Sequence, residues 1–186
     1  LVNPSALPGL ESHIIENFFD PTQSIDRAAV ADLLARYDAN VRQADQCAQD
    51  IFETLQKIGV YDAAIIVVGG DHGQSLGQHD WLGHVTVTEV NLAVPLIMRF
   101  PPGMVEPKTI KRVVSNVDVM TTVLSRFKSS AGEALAAQAA GEDLLSGHYT
   151  RNNAAAVQLH PDDIHLTLRQ GSFKLTKKNS DLTLHD

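Results

Sequence analysis

The apolar positions between residues 26 and 58 are Val30, Leu33, Leu34, Tyr37, Val41, Ala44, Ala48, Ile51, Phe52, Leu55 and Ile58. Steps of three and four residues place them along one face of a helix. The spacing predicts a helix over 26–58, bent or broken in two, with Asp26 as N-cap and Gly59 as C-terminal stop. The next apolar segment differs. Residues 63–68 read Ala-Ala-Ile-Ile-Val-Val without interruption, the pattern of a strand buried on both faces in a parallel sheet covered by helices. Gly69 and Gly70 end it. A second short strand is predicted at 94–100, closed by Pro101-Pro102-Gly103. Asp118 is expected to cap a helix through about Arg126, with Val119, Val123 and Leu124 inward.

The tail changes character. Residues 131–140 are Ala-rich and read as helix. From Ile164 the pattern alternates: Ile164, Leu166 and Leu168, then Phe173 and Leu175, then Leu182 and Leu184. Gly171-Ser172 separates the first two runs, so an antiparallel hairpin and a third strand are expected. Helix, strand, loop, strand, helix is an α/β order. The change of pattern predicts a boundary near 128–132, with an α/β part over 1–128 and an antiparallel part over 129–186. Residues 1–25, with Pro4, Pro8 and Pro21, read as an irregular lead-in. No repeat at a solenoid period is visible.

Composition narrows the classes. A chain of 186 residues suggests one domain and a small appendage. At 44% hydrophobic and 20% charged residues, its composition is ordinary for a folded globule. Lys plus Arg is 15 against 22 Asp plus Glu, a formal charge of −7, which argues against a nucleic-acid or anionic-membrane surface. The one cysteine, Cys47, excludes an intrachain disulfide and a zinc–cysteine cluster and leaves the compartment open. The longest apolar runs, 63–68 and 92–98, fall far short of the ~20 residues that span a bilayer. The first residues show no basic stretch followed by an apolar one, so no leader is expected. A start at Leu1 rather than Met suggests a piece of something longer.

Candidate chemistry is concentrated in Gly69-Gly70-Asp71-His72-Gly73-Gln74-Ser75-Leu76-Gly77-Gln78-His79-Asp80-Trp81-Leu82-Gly83-His84. Three of the eight histidines fall in this segment. Asp71 lies just beyond the carboxyl end of a predicted buried strand, the edge where ligands of open α/β sheets gather. The flanking glycines allow a turn that lets adjacent Asp and His side chains reach one cation. A carboxylate with a neutral imidazole suits several divalent metals, whereas an imidazole departs from an all-oxygen calcium shell. Taken singly, Asp-His-Gly also suits an ordinary polar turn. His79 and His84 singly read as surface histidines or as supports for a ligand.

A wider series of motifs frames this segment. Tyr37-Asp38-Ala39-Asn40-Val41 and Asp45 precede the strand. After Asp71-His72-Gly73 come Leu76-Gly77-Gln78-His79, Gly83-His84, Thr88-Glu89 and Val94-Pro95-Leu96-Ile97. Ser115-Asn116-Val117-Asp118, then Leu168-Arg169-Gln170-Gly171-Ser172-Phe173-Lys174-Leu175 and Leu184-His185-Asp186 complete it. From about residue 28 to 186 the series resembles the C-terminal half of the sulfatase family, in the alkaline phosphatase superfamily. The resemblance implies an α/β fold: the C-terminal half of a mixed sheet flanked by helices, plus a small antiparallel C-terminal subdomain.

The resemblance also implies roles. Asp71 and His72 match the positions that bind one divalent metal, most commonly Ca2+, with Mn2+ or Zn2+ as alternatives. His84 stands where the family has a sulfate-contacting Lys, and as imidazolium it would bind a sulfuryl oxygen or protonate the leaving group. His79 matches a histidine that supports the site from behind. Asp45, Glu89 and Asp118 match recurring positions that read as caps and turn anchors. The family nucleophile is a formylglycine made from Cys or Ser in Cys/Ser-x-Pro-x-Arg, and it belongs to the N-terminal half with two further Asp ligands. Cys47 has neither Pro nor Arg at the required offsets, and its helix position suggests ordinary packing. The implied activity is hydrolysis of a small-molecule sulfate ester by the parent protein, this piece alone being inactive; bacterial cytoplasm and periplasm both suit such a parent. Gly70, Asp80, Ala93 and Met120-Thr121 depart from the usual residues. They leave open a phosphonate or phosphate ester hydrolase, or a non-catalytic interaction module. A sheet cut through its middle would expose strand edges and an apolar face, so the missing half or a partner chain is expected to cover them.

Overall fold

A computed structural model describes residues 27–78, 82–84, 86–127, 129–160 and 163–185. The predicted lead-in, the Asp26 cap and His79 lie outside these residues. Two compact units divide between Val105 and Glu106.

In the first unit, helix α1 spans Arg27–Lys57 as one continuous element. Pairs one turn apart support its outer surface, among them Asp32 with Arg36 at 2.7 Å and Gln49 with Glu53 at 2.9 Å. Gly59 adopts φ 75°. The Val60 N–H donates to Leu55 O and the Gly59 N–H to Gln56 O, so the expected stop is a Schellman turn. The apolar stripe is only partly covered: Val30, Leu33, Phe52 and Leu55 are half-buried, and Val41 and Ile51 are exposed. Cys47 is exposed, contrary to the packing expected of it, because it sits off the covered part of the stripe.

A single 3-10 turn, Tyr61–Ala63, leads to β1, Ile66–Gly69. Its partner is β4, Leu96–Arg99, in antiparallel register from Ile66↔Arg99 to Gly69↔Leu96. The pairing differs from the parallel neighbour expected of a continuous apolar run. Nor is β1 enclosed: Val67 is 39% and Val68 42% exposed. An apolar run reports a tendency to be covered on both faces; it encodes neither strand direction nor the covering layers. Arg99 fastens the entry to β1. Its guanidinium donates to Tyr61 O, to Ala64 O at 3.1 Å and to Asp62 Oδ1 at 2.9 Å, and lies 4.1 Å over the Tyr61 ring. Between β1 and β4 the chain forms a two-residue ladder of β2, Ser75–Leu76, with β3, Leu82–Gly83, then a short helix α2, Glu89–Leu92.

The second unit begins with α3, Val117–Leu124, and α4, Ser130–Gln138. The N-cap of α3 is Asn116, not Asp118. Asp118 stands in the first turn, where its Oδ2 accepts from the Ser115 N–H at 3.0 Å, reaching back as a capping-box acid does. Val119, Val123 and Leu124 are half-buried, as the pattern implies. Fully buried Asp118 and Thr122 also receive the Glu142 and Leu144 N–H groups, at 2.8 and 2.9 Å. These bonds tie α3 to the segment after α4, so compactness divides the chain ahead of the pattern change at 128–132. The unit ends in a four-stranded antiparallel meander of β5, Asn153–His160, β6, Asp163–Gln170, β7, Phe173–Lys178, and β8, Asp181–His185. The three alternating runs are β6, β7 and β8, with Gly171 at φ 60° in the first turn. β5 was not anticipated: its Ala154-Ala155-Ala156 lacks apolar–polar contrast, and pairing with β6 decides its state.

Candidate functional site

Asp71 and His72 follow β1 directly, in a loop set by backbone contacts on both sides. The Gly70 N–H donates to Pro95 O at 3.2 Å and the Gly73 N–H to Asn91 O at 2.8 Å. Gly73 lies flush on α2: a β-carbon there would fall 2.0 Å from Val90 O and 2.9 Å from Val90 C. Both are backbone atoms, so the segment cannot yield locally. Gly73→Ala should cost about 2–3 kcal/mol and displace the loop. Urea unfolding with unchanged slope and a lower midpoint is the expected result.

Behind the loop lies a buried polar net. Ser75 Oγ donates to Asn91 Oδ1 at 3.1 Å, and Asn91 Nδ2 donates to Thr86 Oγ1 at 2.8 Å. Thr86 and Thr88 hydroxyls meet at 2.8 Å. Ser75 and Asn91 are 1% and 2% exposed, so these bonds compensate their desolvation and fix the turn that carries His72. The sequence assigns Asn91 no role, and Ser75 stands in the segment from Gly69 to His84 without one. Neither belongs to a chemical motif, and Gly73 followed by a polar residue at 75 was the only trace.

In front of the net stand Asp71, His72 and His84. The Asp71 side chain is 88% exposed, and its Oδ2 lies 3.6 Å from His72 Nε2. Its Oδ1 accepts from the His72 N–H at 2.9 Å. That bond, then the residue's own backbone N–H and the nearby His72 ring, hold the carboxyl below its ordinary range. His72 Nδ1 is 2.9 Å from Gly73 O. A carbonyl only accepts, so Nδ1 carries the proton and Nε2 of the neutral ring has the free lone pair. His84 stacks on His72, with ring centroids 4.2 Å apart and planes at 22°. Its Nδ1 donates to Gln74 Oε1 at 3.2 Å. The structure thus brings together Asp71, His72 and His84, three of the four residues singled out in the sequence.

This donor set fits a divalent cation. A carboxylate oxygen and an imidazole nitrogen 3.6 Å apart can share one ion at roughly 2.0–2.4 Å from each. The backbone bond at Nδ1 orients the ring as it does in metal-binding histidines. Two donors are fewer than the four to eight a cation takes. Among the described residues no three His, Cys, Asp or Glu side chains are arranged to hold a metal ion by themselves.

The family model described as Sulfatase matches residues 11–129, more than half of the chain. The chain belongs to the sulfatase family. It is 34% identical over 88 residues to an N-acetylglucosamine-6-O-sulfatase of Bacteroides thetaiotaomicron, covering 47% of this chain and 16% of that protein. It is 25% identical over 164 residues to arylsulfatase K of Homo sapiens, covering 85% and 30%. Its fold is similar to that of the phosphonate monoester hydrolase SpPMH from Silicibacter pomeroyi, with TM-score 0.72 at 22% identity, over 96% of this chain and 42% of that one. The chain therefore spans well under half the length of these proteins. The fold is sulfatase-like, of the alkaline phosphatase type: mixed helices and sheets with a C-terminal antiparallel subdomain. Sulfatases are generally metal-dependent hydrolases of sulfate esters. No helix among the described residues is long and apolar enough to cross a membrane.

Proposed function

We propose that this chain carries one side of the active site of a metal-dependent sulfate ester hydrolase whose nucleophile lies on polypeptide outside residues 1–186. The carrying observation is the pairing of Asp71 Oδ2 and His72 Nε2 at 3.6 Å, at the carboxyl end of β1, beside the stacked His84. Asp71 and His72 would hold one divalent cation, Ca2+ before Mn2+ or Zn2+, with the remaining ligands supplied from elsewhere. Such an ion polarises the ester oxygens and stabilises the charge that develops as the S–O bond breaks.

This chain's own residues then orient and protonate. Gly73 O fixes the His72 tautomer, and the Ser75–Asn91–Thr86 net keeps the loop from drifting. Gln74 Oε1 accepts from Nδ1 of His84 and orients the ring, and the other ring nitrogen, Nε2, is the one that would meet a substrate. In the imidazolium form that nitrogen would either donate a hydrogen bond to a sulfuryl oxygen or give its proton to the departing alkoxide. His79 would support the site from behind. The formylglycine nucleophile must come from other polypeptide, since no Cys/Ser-x-Pro-x-Arg occurs in the chain. Small sulfate esters are favoured as substrates because the relatives matched by sequence carry sulfatase names. A phosphonate or phosphate ester is the second reading, supported by the similarity in fold to a phosphonate monoester hydrolase.

The test compares this chain alone with a polypeptide that also contains the nucleophile half. The chain alone should show no aryl sulfate turnover. In the longer protein, His84→Ala should lower kcat by about 10²–10⁴-fold. Turnover by the 186-residue chain, or full activity of H84A, overturns the reading. Faster hydrolysis of aryl phosphonate than of aryl sulfate would move the protein to the second reading.

A further inference from the structure

Strands β7 and β8 are joined by two residues, Asn179 and Ser180, with Lys178 opposite Asp181 in register. Asn179 has φ 53° and is the one non-glycine residue with positive φ among the described residues. A two-residue hairpin loop whose first central residue alone has positive φ is a type II′ turn, where glycine is the usual occupant. This turn sets ψ of that residue at about −120°. Tetrahedral geometry at Cα then nearly eclipses the Cα–Cβ bond with the bond that leads on to the Ser180 nitrogen. The Asn179 side-chain carbon Cγ can close on that nitrogen without a change of backbone. A helical ψ of about −42° or a strand ψ of about +135° turns the same nitrogen away from the side chain. Asn40 in α1 and Asn153 in β5 are exposed, as Asn179 is. Backbone conformation, not access to water, therefore sets Asn179 apart from them.

We propose that Asn179 is a site of spontaneous deamidation, closing a succinimide with the main chain of Ser180. The Ser180 amide, its proton lost to base, attacks Cγ. The N–Cγ bond forms, the Cγ–Nδ2 bond breaks, and ammonia leaves with a proton drawn from water. Nothing is oxidised or reduced. Water then opens the ring. Addition at Cγ gives aspartate, and addition at the Asn179 main-chain carbonyl gives isoaspartate. Ser180 favours closure because its side chain is small. The ladder bonds of a two-residue turn fall to the flanking pair, Lys178 and Asp181, and not to the Ser180 N–H. Either product places a new carboxylate beside Asp181. Isoaspartate also lengthens the main chain inside the turn, so it loosens the Lys178–Asp181 end of the hairpin.

Incubation of the 186-residue chain in mildly alkaline buffer, with and without unfolding concentrations of urea, tests this. Peptides from an acid digestion, read by mass spectrometry, give the conversion of each asparagine over time. In the folded chain Asn179 should convert about tenfold faster than Asn40 or Asn153. Urea removes the turn that aligns Asn179, so it should slow this residue and bring its rate toward theirs. Ser180→Pro removes the attacking N–H and should suppress the conversion, a result that does not depend on how the variant folds. Asn179 that stays intact in the folded chain, or that converts faster in urea than out of it, overturns the inference. Conversion at the full rate in S180P overturns it as well, because the amide would then be lost without ring closure.

Discussion

Replacing Asp71 with alanine is expected to abolish metal retention by the longer protein in which residues 1–186 meet the remaining ligands. The expected loss is large because, among the described residues, the carboxylate is the one anionic donor at the site. It stands 3.6 Å from its imidazole neighbour, and among the described residues no group of three acidic or imidazole side chains is arranged to hold a metal ion. Removing an anionic ligand also leaves the ion with less charge compensation after dehydration. The Asp71 carboxyl is held below its ordinary range, first by the His72 backbone N–H. The charged ligand form thus persists into mildly acidic solution, and metal lost on mild acidification must be traced to another ligand. Metal content by mass spectrometry after gel filtration, wild type against D71A, is the measurement. Unchanged content would show that Asp71 is not a ligand, whatever happened to activity. Asp71→Asn separates charge from shape: it keeps an oxygen near the same place and should retain metal only weakly.

The site was more readable in the sequence than the packing around it. Asp71-His72-Gly73 announces itself because reactive residue types are adjacent and glycines bracket them, and the loop geometry follows from those glycines. Gly59 worked the same way: a residue that tolerates positive φ ended α1 where the spacing said it would. Misreadings arose where a position's state depends on distant partners. The β1 run looked enclosed because Ile and Val were uninterrupted, yet its direction and exposure are set by β4 and by what lies over it. β5 was invisible because an alanine triplet carries no face. Asp118 looked like a cap because Asp before an apolar run usually is one. Its buried position was unreadable because its partners are 24 to 33 residues downstream in sequence, from Glu142 to Arg151.

Asp118→Ala is expected to cost about 3–5 kcal/mol and to unfold much of the second unit, the range found when one partner of a buried ion pair is removed. Asp118 is completely buried. Its two oxygens accept from the Ser115 and Glu142 N–H groups and from the Tyr149 hydroxyl at 3.2 Å. Arg151 Nε lies 3.2 Å away as an ion pair, outside hydrogen-bonding geometry, so its contribution is charge compensation rather than a directed bond. Alanine would leave the Ser115 and Glu142 N–H groups without this acceptor, take the nearer carboxylate from Arg151 and leave the Tyr149 hydroxyl with Val113 O alone. Asparagine keeps one acceptor and should cost less, although it leaves Arg151 with only the Glu142 carboxylate, 3.6 Å away. A pH signature identifies the cluster. Burial, then the Asp118 charge, pushes the Tyr149 phenol from 10.0 up to about 12. Between these values the unfolded chain has released a proton that the folded chain still holds, so stability falls as pH rises through that window and is complete below it. Tyr149→Phe should flatten this alkaline decline in urea midpoints measured either side of pH 10, while the wild type shows it. An alkaline decline that persists in Y149F, or an Asp118→Ala protein as stable as wild type, would mean that α3 is held by its apolar contacts and not by this buried acid.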